Sequence, residues 1–135
     1  MNIKLALIIL LTLPFLTAAQ DQSASLDGAI LSDTGGYDMS KYVTAALQRV
    51  RNNWYAVMPE AARKGEKGKV TVVFTVGRDG KVQELRVVES SGVDPLDKGA
   101  LSAVQLSNPF AALPSDFKQD RIVLRIPFLY NMQQR

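Results

Sequence analysis

The chain has 135 residues, with 16 Lys and Arg against 13 Asp and Glu and a formal charge of +3 spread along its length; that is room for one modest domain with a single core. It holds no histidine and no cysteine, which excludes thiol nucleophiles, disulfides, the usual zinc sets and the one side chain that titrates near neutrality unaided. The charges interleave without forming a basic stripe, so nucleic acid is not among the expected partners.

The opening stretch, MNIKLALIILLTLPFLTAAQ, has an early cation at Lys4, an apolar run over 5–13, a helix-breaking Pro14 and small residues at Thr17, Ala18 and Ala19. This is the layout of a secretory signal peptide, residues 1–19, with cleavage after Ala19. The apolar run falls short of the roughly 20 residues that span a bilayer, although 3–19 would just serve as an uncleaved inner-membrane anchor. Both readings place the remainder outside the cytoplasm. No Cys follows the run, so a lipid anchor is excluded. Residues 20–39 are polar and rich in Gly and Ser and read as a flexible linker.

The folded part is expected over 40–135. From Ser40, which can cap a helix, Tyr42, Val43, Ala46, Leu47, Val50, Trp54 and Val57 recur at spacings of three and four as one apolar stripe. Pro59 ends that helix near Val57. A short turn-like segment leads to a strand over 69–76, where Val70, Val72, Phe74 and Val76 alternate with Lys69, Thr71, Val73 and Thr75. Asp79-Gly80 signals a hairpin. On the return strand, 81–90, the parity of the apolar residues changes between Val82 and Leu85, which predicts a bulge near Gln83 or Glu84. A second helix starts at Asp94 as N-cap, with Pro95 in its first turn, and gathers Leu96, Ala100, Ala103, Val104 and Ser107 on one face. After a loop, the last strand runs over 121–130. The predicted class is α+β: a three-stranded antiparallel sheet with two helices packed on one face, in the order α-β-β-α-β.

These residues carry a resemblance. Pro59-x-x-Ala62 leading to Gly68-x-Val70, the hairpin Asp79-Gly80-x-Val82, then Ser90-Ser91-Gly92 and Leu96-Asp97-x-x-Ala100 together resemble the carboxy-terminal domain of the TonB and TolA energy-transducer family. The flanking stretches RVRNNWYAVMP and SNPFAALPSDF are similar to the TolA-type variant. The resemblance implies a periplasmic, non-catalytic protein-binding module without cofactor or metal. Its partners would be envelope proteins: an outer-membrane receptor peptide that pairs with the last strand, or a proton-driven motor complex. It also raises the alternative of a short inner-membrane-anchored transducer.

In the last strand Pro127 has no N–H to donate, so its nitrogen must face away from a ladder neighbour, which makes the strand an edge. The odd-numbered residues then direct their backbone groups outward, and Ile122, Leu124, Ile126, Phe128 and Tyr130 alternate toward the core. The residues expected to meet a partner strand are Val123, Arg125, Pro127, Leu129 and Tyr130, with Pro127 restricting the register. An exposed edge also admits a strand-paired homodimer. No catalytic residue is expected: Ser90 and Ser91 have no histidine to activate them, and Asp79, Asp94 and Asp97 have turn or capping positions.

Overall fold

The period-two alternation over 69–76 becomes the central strand of the sheet. The computed structural model describes residues 24–26 and 28–132; the signal peptide or anchor expected at 1–19 lies outside the described residues. Strand β3 (Gly68–Gly77) pairs with β4 (Val82–Glu89) on one side and with β5 (Arg121–Tyr130) on the other, both antiparallel. Val70, Val72, Phe74 and Val76 of β3 are fully buried, as are Ile122, Leu124, Ile126 and Phe128 of β5. They form the floor of the core.

Two helices cover that floor. Helix α1 (Ser40–Ala56) and helix α3 (Asp94–Ser107) pack against one another, and Ala46, Val50, Trp54, Leu96, Ala100, Ala103 and Val104 face the sheet. The Trp54 ring stands edge-on to Phe128 at 5.1 Å and to Tyr130 at 5.0 Å, an arrangement that adds to the area it buries. The small residues of α3 let it sit close to the strands, as expected from its sequence.

The expected bulge is present. The β3–β4 register shifts between Val73 and Thr75, and Glu84 takes a φ of 54°, so the extra residue absorbs the parity change between Val82 and Leu85. The hairpin turn also forms, with Gly80 at a φ of 87°.

Four features differ from expectation. Among the described residues the sheet has five strands, in the order β1-β5-β3-β4 with β2 also on β5: β1 (Ala24–Leu26) and β2 (Ala29–Ile30) come from the stretch read as linker. Their apolar content is too short to show a period, and the unpaired backbone of β5 recruits them. Second, a one-turn helix, α2 (Glu60–Arg63), follows Pro59 and buries Ala62 where only a turn was read. Third, the helix starts are built differently. Asp38 accepts hydrogen bonds from the amide and hydroxyl of Ser40, so Ser40 is capped and does not cap. Likewise Asp94 is already helical, and the acceptor at that end is Asp97, which receives Ser90 Oγ at 2.5 Å, Ser91 N at 2.9 Å and Ser91 Oγ at 2.6 Å. Fourth, the loop before β5 is part of the core: Phe110, Leu113 and Phe117 are buried. Arg78 holds it by donating to the carbonyls of Pro114, Phe117 and Gln119 at 2.6–2.8 Å.

Candidate functional site

Antiparallel pairing directs the backbone groups of alternate residues to opposite sides of a strand. On β5 the odd-numbered residues face outward, as the position of Pro127 requires. Leu31 N donates to Val123 O at 2.8 Å, and Val123 N donates to Ser32 Oγ at 2.9 Å. The outer side of β5 is therefore a strand-pairing edge of the predicted parity, but it is not bare. Ala29 and Ile30 lie opposite Arg125 and Leu124, and Ala24, Ser25 and Leu26 lie opposite Tyr130, Leu129 and Phe128. The inference that a proline makes this strand an edge is corrected in that respect: β5 has neighbours on both sides.

Pro127 lies between the two pieces of the added strand. Leu26 pairs with Phe128 and Ala29 with Arg125, so both pieces keep one register along β5, one on either side of Pro127. A residue that cannot donate interrupts the ladder at its own position and leaves it intact on either side.

The side chains expected to meet a partner separate into two groups. Val123, Arg125 and Pro127 are half-buried and Leu129 is 8% exposed, on the face of the sheet that the helices leave open. Tyr130 is in the core, 1% exposed, and its hydroxyl donates to Leu96 O at 2.9 Å. Burial pushes its pKa up to about 12. The Tyr130 ring is therefore enclosed, and its even-numbered position turns its backbone groups toward Gly68 of β3 and away from the outer side.

The open face carries charge across β3 and β4. Glu89 accepts from Thr71 Oγ1 at 2.8 Å and lies 3.6 Å from Lys69 Nζ. The Thr71 hydroxyl, with Lys69 and Arg125 nearby, holds its carboxyl below the ordinary glutamate range against the opposing effect of burial.

The far side of β4 is the other edge, with no strand beyond it among the described residues. Two register shifts break its regularity, and Glu84 and Arg86 are exposed along it. Bulges and charges of this kind blunt an edge against pairing. The regular ten-residue β5 is thus the side suited to accept a strand.

Sequence reasoning did not identify the contributions of Gly28, Ile30 and Ser32. Ile30 packs against the core, and a Cβ on Gly28 would lie 2.9 Å from Leu47 Cδ2. The only signal was the apolar triplet Ala29-Ile30-Leu31, too short to show alternation. Among the described residues no group of three or more acidic side chains is placed to hold a metal ion, and no helix is long and apolar enough to cross a membrane. What the site can do is hold an extended backbone.

An antiparallel sheet backed by helices on one face, with its last strand bordering an added strand, places the molecule among the open-faced α+β sandwiches. The model for the Gram-negative bacterial TonB protein C-terminal family matches residues 58–132, and the chain belongs to that family. It is similar to the protein TonB of Haemophilus influenzae, 32% identical over 102 residues that make up 75% of this chain and 36% of the relative. It is also similar to the protein TonB of Helicobacter pylori, 31% identical over 71 residues, 53% of this chain and 24% of the relative. The chain thus spans a quarter to just over a third of the length of these relatives. The solution NMR structure of the Helicobacter pylori TonB C-terminal domain superposes with a TM-score of 0.55 at 25% identity, covering 76% of this chain and 91% of that one.

Proposed function

We propose that this domain is a non-catalytic periplasmic binding module that docks extended peptide segments of envelope proteins on the outer edge of β5. Main-chain hydrogen bonds from Val123, Arg125 and Leu129 supply affinity, and the half-buried side chains of the open face supply selectivity. The observation that carries this reading is the added strand: the outward backbone of Val123 pairs with Leu31 and Ser32 at 2.8 and 2.9 Å, so the edge accepts an antiparallel strand of the required register. Family membership points to outer-membrane receptors and a proton-driven motor as the class of partner. It also supports a role in energy transduction to the outer membrane.

The test is site-specific photo-crosslinking in the native host. A benzophenone side chain at Val123 or Leu129 is expected to yield an adduct with an outer-membrane protein, joined through an extended segment of that protein. The same group at Leu106, which is 56% exposed on α3, is expected to yield none. Equal adducts from all three positions, or none from β5, would reject docking at this edge.

A further inference from the structure

We infer that residues 28–32 are an internal ligand of the β5 edge, exchanged for a partner strand on docking, and that they show what such a partner must carry. The inference rests on the docking role proposed for this edge. The segment is held in the manner of a bound peptide. Leu31 N donates to Val123 O at 2.8 Å and Ser32 Oγ accepts from Val123 N at 2.9 Å. Ile30, opposite Leu124, packs on the core, whereas Leu31 is 55% exposed. Next to Ile30, a Cβ on Gly28 would meet Leu47 Cδ2 at 2.9 Å and Cδ1 at 3.1 Å. A strand that replaces this segment therefore needs a small residue, then any residue, then an apolar residue facing the helices, then any residue, then a hydroxyl that accepts from Val123 N. Its backbone must also tolerate the missing donor at Pro127.

Exchange is favoured by how the segment is attached. It contributes one side chain, Ile30, to the core, and Pro127, next along β5, has no N–H to donate to it. A partner of the same pattern regains every bond that is broken, so the internal segment lowers apparent affinity by mass action and selects against strands that lack the pattern.

The experiment uses the full chain and a synthetic peptide of residues 23–33, SASLDGAILSD, followed by fluorescence anisotropy. Leu31→Pro removes the donor to Val123 O without touching a core side chain and is expected to bind the peptide at least tenfold more tightly than the unchanged chain. Peptides carrying Ile30→Asp or Gly28→Val are expected to bind that variant at least tenfold more weakly. A second variant guards against misfolding. Ala29→Cys with Arg125→Cys joins register partners in a chain with no other cysteine, at a separation that a disulfide can bridge. Oxidised, it should take up no peptide; reduced, it should take up peptide again. Equal binding by the oxidised and reduced forms overturns the proposal, as does a folded Leu31→Pro variant with no gain. A Leu31→Pro chain that pairs with its own kind and leaves the peptide unbound overturns it in favour of a second copy. Peptide exchange without crosslinking in cells would reject the envelope partner alone; crosslinking without exchange would reject the internal ligand alone.

Discussion

Gly80 shows how one residue can carry a local fold. Its φ of 87° lies where only glycine is at ease, and a Cβ there would meet Phe110 O at 2.1 Å, because Phe110 N donates to Gly80 O at 2.8 Å. Gly80→Ala is therefore expected to lower stability by more than about 2 kcal/mol, since backbone strain and a backbone clash combine; urea denaturation measures it. Asp97 has a different task. Burial disfavours its charge, but the hydroxyls of Ser90 and Ser91 and the amide of Ser91 outweigh that and hold its carboxyl below the ordinary aspartate range. A depressed native pKa contributes stability that is present above the unfolded value of about 3.9 and is lost as the pH falls through the native one. Because solvent screens this partly exposed carboxylate, Asp97→Asn should cost no more than about 1 kcal/mol at pH 7, and the two unfolding curves should converge as the pH falls below 4. These bonds join Ser90-Ser91-Gly92 to Leu96-Asp97, so two pieces of the family pattern form one structural joint between β4 and α3.

At the scale of elements, legibility followed locality. The alternation of β3 and β5, the small face of α3 and the bulge at Glu84 are patterns within a few neighbouring residues, and each was readable. The burial of Phe110, Leu113 and Phe117 was not, because it depends on Arg78 and Gly80 lying next to that loop in space. The added strand was unreadable for the same reason: its order derives from β5, about 100 residues further along the chain. Pro127 shows the boundary well. Its chemistry correctly predicted which side of β5 faces outward, but nothing local says what covers that side. The end of β5 is fastened to α3 by Tyr130, whose phenol donates to Leu96 O at 2.9 Å. Because burial pushes that phenol's pKa up to about 12, its contribution is full below the unfolded value of about 10 and lost as the pH rises toward the native one. Tyr130→Phe should be about 0.5–1.5 kcal/mol less stable at neutral pH. Above pH 10 the unchanged chain should lose stability faster, and the difference should close; alkaline titration followed by circular dichroism checks this.

For the whole molecule, the question is how a sheet edge can be opened without losing the fold. The answer lies in where burial is concentrated. Val72 and Phe74 of β3 are fully buried and flanked by paired strands on both sides, so exposing their amides requires breaking the core itself. The segment 28–32 pairs with β5 alone and inserts only Ile30 among the core's neighbours. Local openings that leave most apolar contacts in place require less free energy than global unfolding. Native-state hydrogen exchange should therefore show two classes. The amides of Leu31 and Val123 should exchange through an opening insensitive to low denaturant, while those of Val72 and Phe74 should exchange only with global unfolding. The Val123 amide decides between a hinged and a fixed segment, because its acceptor, Ser32 Oγ, belongs to the segment 28–32. If it exchanged with the β3 amides, the segment would be a permanent fifth strand and the edge would be closed to partners.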